Sequence, residues 1–202
     1  PKQPMIELGV SFQMNPKFEE KVLEHKDGHY IVQDWMGAIT EISDAFDYTY
    51  IRAPRDFVTR KWHRFPVQSW KDWEERMRWR FDAGDPARFA ADFEARCAQL
   101  RERDYPLILS FNGPFWQMRE FCGMENLCTL MLEQPDLIEA MALFWRDFCS
   151  DVMGAVLEHV TPDMVHFSED MCYKEHPMIS PAMTDHFCGP CYRQWIEQAR
   201  AA

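Results

Sequence analysis

Two short apolar runs, each closed by an abrupt change to polar or turn-forming residues, constrain this chain more than any other feature. Pro106-Leu107-Ile108-Leu109-Ser110-Phe111 stops at Asn112-Gly113-Pro114, and Pro162-Asp163-Met164-Val165-His166-Phe167 stops at Ser168-Glu169-Asp170. Runs of this length with a breaker behind them read as strands buried on both faces. Between them the spacing predicts helices over 115–121 and 124–133 and a long one from Pro135 to Val160. In the long one Leu137, Met141, Phe144, Trp145, Phe148, Val152 and Val156 keep a helical period. Two more helices are predicted at 181–187 and 190–201. Strand, helices, strand, helices is the grammar of βαβ units on a parallel sheet.

The first half of the chain reads differently. His29 to Trp35 and Ala38 to Ile42 are rich in β-formers and flank Met36-Gly37, which predicts a β-hairpin. Residues 44–68 mix aromatics with Arg and Lys and read as an irregular excursion. Ser69 with Asp72 three residues on predicts a helix start, followed by Trp73, Met77 and Phe81 on one face. Asp85-Pro86 predicts the next helix, with Phe89, Phe93, Cys97 and Leu100 as its buried stripe.

Two parallel strands cannot cover their own edges, and a full (β/α)₈ barrel takes about 250 residues. The expectation is therefore an α/β chain, residues 1–202 forming a single domain. It would be a partial (β/α)₈ TIM-type barrel with a β-hairpin insertion near the N-terminus, the central segment of a longer protein.

Charge and cysteine usage narrow the setting. The formal net charge of −11 disfavours nucleic acid and anionic membrane surfaces as partners. No stretch approaches the roughly 18 apolar residues of a membrane helix, and Pro1-Lys2-Gln3-Pro4 lacks the apolar run of a signal peptide. Seven cysteines, an odd number without framework spacing, fit a reducing compartment. The expected location is cytoplasmic.

In α/β barrels the chemistry sits in the loops at the carboxyl ends of the strands. Here that rule selects Glu169 and Asp170 for acid–base or orienting roles. It selects Asn112, Phe115, Trp116, Arg119, His166, Tyr173, Lys174 and His176 for substrate binding. Each has an alternative reading. Glu169 and Asp170 can cap a segment, Arg119 can pair with Glu120 or Glu125, and Phe115 and Trp116 can be core. His166 can be a hydrogen-bonded wall residue, and Lys174 and His176 can be plain loop.

At these residues the sequence resembles the uroporphyrinogen decarboxylase superfamily. The resemblance rests on Phe167-Ser168-Glu169-Asp170-Met171, then Ile179-Ser180-Pro181, Phe187, Pro190 and Tyr192. Asn112-Gly113-Pro114-Phe115-Trp116 with the helix from Gln134-Pro135 forms a second block, and Leu8-Gly9-Val10 through Pro16 a weaker third. It implies a (β/α)₈ barrel and one of two chemistries. One is cofactor-free decarboxylation of tetrapyrrole acetate arms in porphyrin biosynthesis. The other is methyl transfer between a small methylated substrate and a corrinoid or thiol, with zinc held by a histidine and cysteines late in the barrel and a corrinoid protein as a further partner.

Two departures favour the methyltransferase branch. The tyrosine expected after Gly113-Pro114 falls near Glu120 or Phe121, and the serine expected after the second strand falls near Asp170. The aspartate and arginine-rich loop of the decarboxylases are expected before residue 1, and the zinc ligands beyond residue 202. No metal site and no cofactor is expected from the segment's own residues. A non-catalytic tetrapyrrole- or corrinoid-binding module is the third reading.

Cys188-Gly189-Pro190-Cys191 has thioredoxin-like spacing, but the residues before it read as helix where that chemistry needs a strand. A zinc site from Cys172, His176, His186, Cys188 and Cys191 matches no standard spacing.

Overall fold

The computed structural model describes residues 8–45 and 60–202. Pro1 to Pro4 and most of the excursion read at 44–68 lie outside them. The architecture is mixed α/β with two separate sheets. The first is antiparallel, ordered β1 (Lys21–Lys26), β2 (His29–Gln33), β3 (Ile39–Ser43) and β4 (Lys61–Arg64). The second pairs β5 (Ile108–Asn112) with β6 (Met164–Ser168) in parallel. A closed barrel is not formed by the described residues.

The predicted hairpin is β2–β3, with Gln33 opposite Ile39. Its turn is organised by the buried Asp34. The Asp34 carboxylate accepts from the Met36 and Ala38 N–H groups, and Gly37 supplies the positive φ of 87°. The sheet is larger than the predicted hairpin, because β1 and β4 flank it. Both are exposed along their whole length, so neither carries the in–out alternation that marks a strand.

Ser69 accepts from the Asp72 N–H as predicted and opens α1 (Trp70–Asp72). The helical path continues through a wide turn, in which the Arg78 N–H reaches the Trp73 carbonyl, and then a tight one. This path buries Trp73, Met77 and Phe81, the expected face. The helix predicted from Asp85-Pro86 is broken. Asp85 caps only a single turn, Pro86–Arg88, and Phe89 turns extended before α2 (Phe93–Arg101). The break lets the Ala90 N–H and the Gly9 carbonyl bond at 2.8 Å, so the chain stays tied to the N-terminal segment.

The remaining helices are α3 (Pro114–Cys122), α4 (Met124–Glu133), α5 (Pro135–Leu157), the short α6 (Pro181–Met183) and α7 (Gly189–Ala201). The last two form one run through the wide turn Thr184–Cys188, where two helices were predicted. α5 and α7 pack beneath the parallel pair. Phe111 and Phe167 lie against Trp195, each at 5.0 Å between ring centroids, and the Trp145 indole N–H donates to the Asn112 carbonyl at 2.8 Å. The strands are not buried on both faces. β6 has no fully buried residue: Met164, at 49%, and His166 are exposed and the other three are partly buried. No helix among the described residues is long and apolar enough to cross a membrane.

Arg88 joins the N-terminal segment to this core. It is 2% exposed, and its guanidinium donates to the carbonyls of Asp82, Ser11, Gln13 and Arg80 while lying over the Phe148 ring. Truncating it would leave four carbonyls short of a donor and open a void. Arg88→Ala is expected to cost about 3 kcal/mol or more, with Arg88→Lys rescuing little because one ammonium cannot span the same acceptors. Urea unfolding of the three proteins measures this.

Candidate functional site

The in-register pairing of Phe111 with Phe167 and Asn112 with Ser168 brings both strand ends to one place. The ladder continues one step, the Gly113 N–H donating to the Ser168 carbonyl at 2.7 Å. Helix α3 starts there with Pro114, which has no N–H to offer, so the first free donors are Phe115 and Trp116. Glu169 supplies the acceptors. Its two carboxylate oxygens take the Phe115 N–H at 3.2 Å and the Trp116 N–H at 2.8 Å, and the Tyr192 hydroxyl of α7 donates at 2.5 Å. A negative group at a helix N-terminus is favourable on dipole grounds as well.

This contact depends on Gly113, because a Cβ there would lie 2.2 Å from a Glu169 oxygen. Burial raises the Glu169 pKa, against the lowering effect of Tyr192, the two N–H groups and Arg119. Asp170 makes the second tie between the loops, meeting the Arg119 guanidinium at 2.5 Å. Arg119 also lies over the Trp116 ring at 5.1 Å. It thus pairs with neither Glu120 nor Glu125.

Two cavities open beside this junction. The smaller, about 330 Å³, is bounded by the segment Val10–Met14, Trp35 of the hairpin turn, Phe81, the end of β5 and one side of α3. The larger, about 830 Å³, lies between β4 and the α3–α4 corner and is lined by Trp62, Phe65, Arg64 and Arg119 among others. Gly123 makes that corner possible, with φ of 77° and the Phe65 ring where a side chain would begin. Trp116 and Glu120 line both cavities.

Glu120 is the residue that the sequence reading missed. Its carboxylate accepts from the Trp116 indole N–H at 2.8 Å, from Asn112 at 3.3 Å and from Gln117 at 3.4 Å. Burial raises its pKa, opposed by Trp116, Arg119, Gln117 and Asn112. Among the described residues it has no ion pair. On an amphipathic helix a glutamate reads as a solvated position, and only the spacing Trp116-x-x-x-Glu120 hints at contact.

The sequence-selected residues divide. Asn112, Trp116 and Arg119 line the cavities. Phe115 does not, being fully buried in the core as its alternative reading had it. Glu169 and Asp170 are brought together with the Asn112–Arg119 loop, but their side chains are held by the framework and line neither cavity. His166 is exposed and hydrogen-bonded to Ser110 across the two strands at 3.0 Å. Tyr173, Lys174 and His176 sit on an exposed loop, Tyr173 to 70%, closed by mutual backbone bonds between Tyr173 and His176. They line neither cavity.

The Cys188 and Cys191 pair does not suit thioredoxin-like redox chemistry. Cys188 and Cys191 are buried in helical backbone, burial pushes both up to about 12, and Cys191 Sγ donates to the Ala142 carbonyl at 3.4 Å. The described residues bring together no group of three or more His, Cys, Asp or Glu able to hold a metal. Zinc therefore does not fit these residues.

The two partly buried glutamates can each be probed by amidation. Glu169→Gln replaces an acceptor with an NH₂ group facing N–H donors, and is expected to cost about 1–3 kcal/mol, as is Gly113→Ala by displacing the carboxylate. Chemical denaturation checks both. Glu120 has a folded pKa raised above its unfolded value, so its ionisation disfavours the fold. The stability of the natural chain minus that of Glu120→Gln should fall as pH rises through and above the ordinary carboxylate range, measured by melts at a series of pH values.

No family model matches this chain, and no curated protein or solved structure does either.

Proposed function

We propose that the chain is part of a uroporphyrinogen-decarboxylase-like (β/α)₈ enzyme of the branch that moves a methyl group between a small methylated substrate and a corrinoid or thiol. The observation that carries this reading is the junction of two parallel strand ends, where Glu169 of the second holds the helix that follows the first. Barrel enzymes build their sites from such adjacent βα loops. The resemblance over 106–192 falls on the same residues.

In this reading Glu169 and Asp170 are positioning residues. They fix α3, which carries Trp116, Arg119 and Glu120 to the cavities. Glu120 faces the bound molecule. In transfer to a thiol, a sulfur–carbon bond forms as the bond from the methyl carbon to its heteroatom breaks. The departing heteroatom keeps the electron pair, and the thiol proton passes to a carboxylate. Glu120 is that carboxylate, its burial keeping it basic enough to accept. No step is assigned to zinc.

Decarboxylation is the second reading, favoured by Arg64, beside Trp62 and Phe65 on the wall of the larger cavity, where its long contact of 3.5 Å with Asp72 leaves it able to meet a ring bearing carboxylates. The test supplies the full chain with methylcobalamin, a small thiol and zinc, and in parallel with uroporphyrinogen. Methyl transfer that falls on the order of 10²-fold in Glu120→Gln is the expected result. Absence of transfer overturns the methyltransferase reading. Release of CO₂ from uroporphyrinogen moves the assignment to the decarboxylases, and a visible band shift without turnover moves it to a binding module.

A further inference from the structure

We infer that the 330 Å³ cavity at the end of β5 is a binding site for a small organic cation of the quaternary ammonium class, with Glu120 as its counter-charge. This deepens the function proposed above and rests on its reading of that cavity as a ligand site. Three features of the cavity lead to it. Its wall is aromatic from several directions, with Phe12, Trp35, Phe81, Phe111, Trp116 and Trp145. Aromatic faces attract cations, and an enclosure of them is the usual recognition device for alkylated ammonium groups. Trp35 already holds a cation in this way, with the Lys17 ammonium 4.6 Å from its ring centre.

The cavity's charge is one-sided. Among the described lining residues Glu120 is the only carboxylate, and none is a lysine or arginine. The guanidinium next along the helix, Arg119, is engaged by Asp170. Asn112, Trp116 and Gln117 orient the Glu120 carboxylate through N–H donors, which hold an acceptor in place without neutralising it. A partly buried carboxylate with no direct ion pair among the described residues favours a cationic ligand. Size completes the match, since this volume sits at the small end of ligand sites, close to a few-carbon molecule and well below a tetrapyrrole.

An anionic or neutral ligand fits less well. An anion would meet Glu120 with no cation on the wall to offset the repulsion, and a neutral apolar molecule would leave the carboxylate desolvated and unmatched. The proposal concerns binding alone and needs no bond to break.

The experiment compares choline with 3,3-dimethylbutan-1-ol, which replaces the ammonium nitrogen by carbon at almost unchanged shape. Both are titrated into the full chain by calorimetry and by ligand-observed NMR. Choline is expected to bind at least tenfold tighter. Glu120→Gln should remove most of that difference while leaving the alcohol's affinity within twofold. Trp116→Leu should weaken choline at least fivefold. Equal affinity of the two compounds for the natural chain, or binding of neither, overturns the inference and needs no variant to fold. Undiminished choline binding by a folded Glu120→Gln protein overturns it as well. Methyl transfer is scored separately. Choline binding without any transfer leaves this inference standing and removes the methyltransferase reading, and transfer without cation preference does the reverse.

Discussion

A helix that starts with proline immediately after a strand leaves its first free N–H groups at N2 and N3, and something must accept from them. In this chain the acceptor comes from the next strand of the parallel pair. The Glu169 carboxylate spans the Phe115 and Trp116 N–H groups and also takes the Tyr192 hydroxyl from α7. One side chain therefore joins β6, α3 and α7. It reaches its place only because residue 113 has no Cβ and because Asn112 and Ser168 are level in the ladder. Shifting the register by one residue would turn Phe167 away from Trp195 and carry Glu169 out of range. The start of α3 is thus anchored by this contact while its buried face packs on the core, and Trp116, Arg119 and Glu120 take their positions from both.

Three carboxylates within this small region carry three different loads. Glu169 is desolvated but accepts from three donors. Asp170 is partly exposed and neutralised by Arg119. Glu120 is desolvated and oriented, yet carries no ion pair among the described residues. Of the three only Asp170 is met by a cation; Glu169 and Glu120 each accept from three donors without an ion pair among the described residues. Of the three, Glu120 alone lines the cavities. A charge that the framework orients but does not neutralise is where an external partner gains most.

Legibility in the sequence followed the hydrophobic pattern. The strands at 108–112 and 164–168 and the helices from 114 to 157 were readable because each packs an apolar face against the core, and the Asn-Gly-Pro and Ser-Glu-Asp breakers marked the ends of the strands. β1 and β4 were not, since strands such as Lys21–Lys26 lie wholly exposed and are held by ladder bonds to their neighbours. The broken helix at Phe89 was hidden for another reason. Phe93, Cys97 and Leu100 do form a buried stripe, but the Gly9–Ala90 bond, a contact across more than eighty residues of chain, wins over local propensity at its start. At the site, strand-end logic found the right neighbourhood and the right loops. It gave weight to Glu169 and Asp170 over Glu120, because nothing local tells a carboxylate that braces a helix from one that faces a cavity.

The two faces of the parallel pair differ in kind. Leu109, Phe111, Val165 and Phe167 alternate with Ser110, Asn112, His166 and Ser168, and the first set is packed over α5 and α7. The second set is polar and partly open, with Ser110 and His166 bonded to each other across the strands. Ile108 and the half-exposed Met164 supply an apolar layer below these polar groups. One face of the pair is thus tied down by packing and the other by short polar contacts, and it is at the carboxyl end of the polar face that Asn112 reaches Glu120.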